Sequence, residues 1–521
     1  MRRIERKIRM DVLQIIPNLL VKTITSLNKL FWGDLIVVSF QDGKTQFGLS
    51  LLVILLVSAG VYFTVRTRFL PFRLFPEMLR SAFREIDDGG GKAQAITGIQ
   101  ALIIATASRV GMGNLAGVVA AISVGGPGAV FWMWVSAIIG SASAFIEATL
   151  AQIYKEPDPL YGGYRGGPAY FMKRMRLITH IKRADVFVDD VQTKADYLDR
   201  DGTTGYTHGC HYNLLGWFFA LSGLICWAGI SQVIANSVTS AFKTAFAVPQ
   251  VITAGVLVVL CGEIVLRKNA TVKALSKIVP LAASAYLIVT VVIFLLNITA
   301  VPAVLTRIVT EAFGLRQAVG GGLGVVVMNG IKRGLFSNEA GSGSAPCAAA
   351  AADVAHPVSQ GLIQSLGVFI DTLLICSCSA FVMLLAPEEV TQGLTGMEIL
   401  QAAMNYHLGS FGAIFVAIII FLLSFSNVVG ILFYARSNIA YLFGDVWYAQ
   451  TGYKLFALVM IFIGGIAAYE IVWELGDLGV ALMTVFNMMA ILPLSSQALY
   501  ALRDYEQKYM NNHKHSELVR Y

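Results

Sequence analysis

Two short stretches place hydrogen-bonding side chains and paired glycines in an otherwise apolar chain. One is "ATASRVGMGNLAG" (105–117), which holds Ser108, Arg109, Gly111, Met112, Gly113 and Asn114. The other is "GLFSNEAGSGSAP" (334–346), which holds Ser337, Asn338, Glu339, Gly341 and Gly343. A glycine weakens a helix by roughly 1 kcal/mol, and an ionisable side chain in lipid costs more. Both stretches therefore predict a break in a helix. A broken helix offers free N–H groups and a positive dipole end to a carboxylate, and free carbonyls to an ammonium group or Na⁺. The competing reading is close helix packing through small residues. Two breaks about 230 residues apart, each flanked by Asn114 or by Ser337 and Asn338, favour binding over packing.

Other polar residues in apolar surroundings carry two readings each. Arg109 and Glu339 occupy the two breaks, where they either pair structurally or serve gating or proton-linked coupling. Glu147 and Asp371 fall on predicted spans without a visible partner, and Glu147 is a coupling candidate. Lys332 and Arg333 are expected to face a water-filled vestibule, and Trp132 and Trp134 to pack or to sit at the interface. The spacing of His208, Cys210 and His211 matches no zinc site. The glycines around Arg165 lack the Lys-Ser/Thr of a phosphate loop, so a cytoplasmic turn is expected. No Ser/His/Asp or nucleotide signature is present, so neither an enzyme nor an organic cofactor is expected. Cysteines 210, 226, 261, 347, 376 and 378 fall mostly in apolar segments and read as reduced thiols.

What must position these residues is a membrane-spanning scaffold. Of the 521 residues, 56% are hydrophobic and 14% charged, and the mean hydropathy is +0.67. A soluble chain of that length needs far more polar surface. Apolar runs near 47–65, 97–123, 127–154, 213–243, 248–266, 277–300, 319–353, 358–386, 408–435, 453–470 and 473–502 predict an all-α polytopic membrane protein with about eleven transmembrane helices.

The expected division is as follows: an amphipathic, interfacial segment over 1–46 ending near Trp32; an extra helix and basic loop over 47–96; a first five-helix repeat over 97–300; a second over 319–502; and a tail over 503–521. Residues 180–210 form a polar insertion. The first long apolar run starts too far in for a cleaved signal peptide. The net charge of +7 sits in short segments between apolar runs, which fits loops facing anionic lipid and not nucleic acid. Basic loops at 66–92, 155–176, 267–277, Arg436 and 503–508 alternate with poor ones, placing them and the C-terminus in the cytoplasm. "MRRIERKIR" conflicts with the outside N-terminus that follows.

Long motifs then carry a resemblance: "ASRVGMGNLAGV", "GGPGAVFWMWVSAIIGSASAFIEATLAQIYK", "YRGGPAYFM", "RGLFSNEAGSGSAPCAAAAA", "SFSNVVGILFYAR" and "WELGDLGVALMTVFNMMAILPLS". Over about residues 50–500 the chain resembles the alanine or glycine:cation symporters, also called sodium:alanine symporters. The resemblance implies the ten-helix 5+5 inverted-repeat core of the amino-acid/polyamine/organocation superfamily, with broken first and sixth core helices. By matching motif it implies that amides of Gly111, Met112, Gly113 and Asn114 hold a substrate carboxylate, and that Ser337 and Asn338 meet the amino group. Gln232 matches a substrate-contacting glutamine, and Ile431 stands where the family typically has tryptophan, which would widen the pocket. Ser426 and Asn427 match a Ser-Thr pair near bound sodium, completed by carbonyls of Ala107 and Val110.

The resulting expectation is a sodium-coupled symporter importing a small neutral amino acid, alanine or glycine, by alternating access in the cell (inner) membrane. The alternatives are a proton-coupled permease of the same fold, through Glu339 or Glu147, and an ion channel or membrane receptor. Against a channel, no ring-forming pore motif repeats, and one chain carries both halves of a repeat.

Overall fold

A computed structural model describes residues 21–39, 46–87, 96–173, 175, 213–267, 270–314 and 323–511. The insertion at 180–210 and the His208–His211 cluster lie outside the described residues. The described residues are helical nearly throughout, with α1 (Leu51–Arg66), α2 (Phe75–Asp87), α3 (Gly98–Arg109), α4 (Gly117–Gly125), α5 (Gly128–Ile153), α6 (Leu214–Phe246), α7 (Gln250–Val265) and α8 (Ala270–Leu296). Then follow α9 (Val301–Ala312), α10 (Leu323–Asn338), α11 (Ala345–Ala349), α12 (Pro357–Leu384), α13 (Met397–Leu408), α14 (Phe411–Phe443), α15 (Trp447–Ile466) and α16 (Tyr469–Tyr505).

Among the described residues seven helices are long and apolar enough to cross a bilayer, or eight when α3 and the bent segment after it count as one span. That is fewer than the expected eleven because α1, α7 and α10 are each 16 residues long, below the length of about 20 that a straight span needs. The expected loops also hold structure. The basic loop after α1 contains α2, the connection before the second half contains α9, and the connection from α12 to α14 contains α13.

The N-terminal segment departs from a single interfacial helix. Residues 21–32 are helical, but Asp34–Ser39 is a strand (β1) paired antiparallel with Gln46–Ser50 (β2). The β-branched run Ile36-Val37-Val38 suits a pleated ribbon better than a helix. Ser50 then caps α1 by accepting from Val53 N. Trp32 is buried, its indole donating to the Asp477 carbonyl at 3.2 Å.

Packing sorts the long helices into two groups. α5 packs on α1, α10 and α12, whereas α6 packs on α14, α15 and α16. α3 touches both, through α12 on one side and α14 on the other. Arg165 lies in the short β-ribbon Glu156–Pro157 and Tyr164–Arg165 and pairs with Asp445, as a turn and not a phosphate loop. Of the six cysteines, the five within the described residues are free. Trp132 donates to the Ala312 carbonyl and Trp134 to Ser377, both packing roles. Lys332 and Arg333, expected to face a water-filled vestibule, meet a carboxylate. Both pair with the buried Asp477, and Arg333 lies over the Trp473 ring at 4.1 Å. A carboxylate supplied by α16 supports two basic side chains there, a partner 144 positions from Arg333.

Candidate functional site: two helix breaks around a buried charge cluster

The first break begins where α3 runs out of ladder. Val110 N–H reaches the Thr106 carbonyl at 2.8 Å, and the ladder resumes with Leu115 N–H on the Gly111 carbonyl at 3.2 Å. The N–H groups from Gly111 to Asn114 lie outside it, so the carbonyls of Ala107 and Val110 lose their i+4 donors. Gly111 has φ +117°, a conformation that side chains rarely adopt. A wide turn over Met112–Ala116 then leads into α4.

The second break begins after Asn338. Glu339 sits at φ +55°, a left-handed conformation that costs a non-glycine residue about 1–2 kcal/mol. Gly341 and Gly343 follow at +87° and +85°. Asn338 Oδ1 accepts from Ala340 N at 3.0 Å. Glu147 on α5 takes the Gly341 N–H at 3.2 Å, while Asn487 on α16 donates to the Gly341 carbonyl at 3.0 Å and to Glu147 at 2.8 Å. Glu147 thus has partners that are invisible in the sequence.

The breaks touch. A Cβ on Gly113 would stand 2.7 Å from the Phe336 carbonyl oxygen. Ser337 Oγ donates to Asn114 Oδ1 at 3.3 Å and lies 2.9 Å from Thr372 Oγ1, to which Asn338 also donates at 3.2 Å. Asn114 Nδ2 donates to the Asp371 carbonyl at 2.8 Å. That carbonyl belongs to a π-helical stretch of α12, Phe369–Cys376. Such a stretch loosens the helical ladder and recurs at functional sites.

Arg109 links the breaks by charge. Its Nη1 donates to Asp371 at 2.6 Å and its Nε to Glu339 at 3.5 Å. Tyr434 on α14 donates to Glu339 at 3.4 Å and lies 2.6 Å from Ser108 Oγ. All of these groups are buried. Two carboxylates share one guanidinium, and among the described residues Asp371 Oδ1 and Arg109 Nη2 have no partner. Removing one member of such a cluster strands a buried charge, which costs about 3–5 kcal/mol.

α14 closes the side opposite α12. Cβ atoms on Gly111 and Gly430 would each lie 3.0 Å from their neighbours, Leu423 Cβ and Ser108 N respectively. Asn427 lies one turn after Leu423 and three residues before Gly430, so it shares their face toward Ser108–Gly111. It is fully buried, and among the described residues neither its oxygen nor its nitrogen has a partner. Ser426 Oγ donates to the Leu423 carbonyl at 2.6 Å, which leaves its lone pairs free to accept or ligate. Ile431, one turn past Asn427, is fully buried. The contacts of Gly111 with Leu423 and of Gly430 with Ser108 set the turn after Ala107 against the stretch of α14 that carries Ser426 and Asn427.

Gln232 is not gathered with them. Its amide lies 3.1 Å from Met460 Sδ, and a Cβ on Gly464 would stand 2.2 Å from its Cα, so it belongs to the α6–α15 contact. Sequence reasoning missed Thr372, Tyr434 and Asn487, and saw Asp371 only as an unpaired intramembrane charge. That lone charge was itself the signal, because a buried carboxylate requires a partner somewhere.

Comparison with known proteins places similar chains beside this geometry. The profile of the sodium:alanine symporter family matches residues 36–519. A Bacillus subtilis protein named probable sodium/glutamine symporter GlnT is 39% identical over 88% of both chains. The amino-acid carrier protein AlsT of the same organism is 38% identical over 87% of this chain and 89% of its own. The sodium/alanine symporter AgcS of Methanococcus maripaludis is 31% identical over 89% of this chain and 96% of its own.

Proposed function

The chain belongs to the sodium:alanine symporter family, a family of transporters and not enzymes, and from that premise we propose that it imports a small neutral amino acid, alanine or glycine, coupled to Na⁺. The observation that carries this reading is the fully buried Asn427 amide, without a partner among the described residues, on the stretch of α14 that packs against the first break, where the carbonyls of Ala107 and Val110 lack their i+4 donors. A buried amide oxygen without a partner is costly, and hard oxygen donors suit Na⁺. The amides from Gly111 to Asn114 would receive the substrate carboxylate and the Ser337–Asn338 pair its ammonium group. Substrate and ion would then meet at the contact of two broken helices, so that together they stabilise one arrangement more than either does alone. Glutamine, as in the name of one relative, is a larger substrate that the pocket at Ile431 would have to admit.

In this reading the core is a 5+5 inverted repeat, 97–300 and 319–502, in the cell (inner) membrane with a cytoplasmic C-terminus. Labelled alanine uptake into proteoliposomes, with and without an inward Na⁺ gradient, tests it. Saturable, gradient-driven uptake is expected, and current without saturable uptake would instead mean a channel. The surplus carboxylate at Arg109 favours a second reading in which a proton joins or replaces Na⁺. Uptake that follows a pH gradient in Na⁺-free medium would establish it.

A further inference from the structure

A cavity of about 180 Å³ opens between the C-terminal end of α6, the start of α7, the first turn of α13 and the α15–α16 connection. It is many times the ~10–15 Å³ that a single water needs. Its wall includes Ala116, the last residue of the wide turn at the first break and two positions from Asn114. The rest of the wall is largely polar: Asn236, Ser240, Lys243, Gln250 and Glu398. Asn236 is pinned there, donating to the carbonyls of Gly464 at 3.2 Å and Ala467 at 2.8 Å.

Lys243 and Glu398 are opposite charges on one small cavity, yet among the described residues neither has an ion-pair or hydrogen-bond partner for its side chain. Elsewhere opposite charges outside the spans do pair, as Arg307 does with Glu311 and Glu388. Opposite charges that line one polar hollow, neither with a partner among the described residues, suit a ligand that carries both charges itself.

We propose that this cavity is a capture site for zwitterionic amino acids, in which Lys243 receives the carboxylate and Glu398 the ammonium group before the ligand passes Ala116 toward the first break. The inference rests on the transport reading above, and on the orientation that puts this end of α6 outside. Charges at the mouth of a cleft raise the rate of encounter more than the rate of later steps. The site therefore acts on the half-saturation of influx and leaves turnover at saturation alone.

The test measures labelled alanine influx into intact cells and exit from preloaded cells, for the wild type, Lys243→Met, Glu398→Gln and the charge-exchanged pair Lys243→Glu with Glu398→Lys. Each single variant should raise the KM of influx by about two- to fivefold, the range of an exposed charge contact. Maximal influx and exit should stay unchanged, and the exchanged pair should recover part of the loss. Unchanged KM in both single variants would overturn the proposal. So would influx and exit falling together, which is the mark of a structural role. Failure of the transport reading looks different, because the wild type would then show no sodium-dependent uptake and a capture site would have nothing to feed.

Discussion

The two breaks solve one problem, unwinding a helix inside a protein, in different ways. The first is wedged by backbone. A Cβ on Gly113 would meet the main chain of α10, and one on Gly111 the Cβ and main chain of Leu423 on α14, while within the turn itself Asn114 supplies the side-chain hydrogen bonds. The second is clamped by side chains. Gly341 is held at both its N–H and its carbonyl by Glu147 and Asn487, and the nearest obstacles to a Cβ on Gly341 and Gly343 are side-chain atoms of Met488, Phe219 and Pro168. It also tolerates a left-handed Glu339. A backbone wedge has no soft neighbour to yield, whereas a polar clamp can be loosened one hydrogen bond at a time. The first break is thus the stiffer reference and the second the adjustable partner.

The sharpest way to break this comparison is substitution at matching glycines. Overpacking costs about 1–3 kcal/mol even where neighbours can shift. Gly113→Val meets a carbonyl oxygen that cannot, so alanine uptake should fall by on the order of 100-fold or more. Gly343→Ala, pressed by the Phe219 ring and Pro168, should keep measurable uptake. Equal losses in the two variants, at equal membrane abundance, would erase the distinction between wedge and clamp.

Next in size is Asp371→Asn. Arg109 keeps Glu339 but loses its shorter partner, and breaking a buried pair costs about 3–5 kcal/mol. Thermal stability in detergent should drop, and uptake should fall by at least tenfold, a loss of about 1.4 kcal/mol or more. A wild-type melting profile would mean that the cluster is not closed as described. The clamp is probed more gently by Asn487→Ala, which leaves the Gly341 carbonyl and one Glu147 oxygen without their donor. At about 1–3 kcal/mol for an unsatisfied group, uptake should fall roughly five- to 100-fold.

Ser426→Ala removes one oxygen beside Asn427. The Na⁺ concentration for half-maximal uptake should rise by roughly three- to tenfold, since such a contact is worth about 1 kcal/mol. An unchanged sodium response with uptake following a pH gradient would move the coupling to the Arg109 cluster. Smallest is Ile431→Trp. Each methylene buried is worth up to about 0.8 kcal/mol, so substrates larger than alanine should lose about fourfold per added carbon in competition assays. Identical competition profiles would remove Ile431 from the pocket wall.

Local order was legible in the residues themselves. Apolar runs marked α5, α6, α12, α14, α15 and α16 because a bilayer core demands long apolar helices, and paired glycines marked both breaks because glycine is the residue that leaves a helix most cheaply. The motif resemblance supplied the family, and Arg109 and Glu339 were legible as an isolated charge in each break. What only the tertiary structure decided were the partners: Asp371 for Arg109, Asp477 for Lys332 and Arg333, Asn487 for Glu147, and Met460 for Gln232. Each joins elements far apart in the chain, and no local periodicity records which face of one helix meets which face of another. The strand at Asp34–Ser39 escaped for the same reason, since a ribbon needs its partner strand before its hydrogen bonds exist. Which polar atoms end without a partner, as at Asn427, is settled last, because it depends on every other contact having been made.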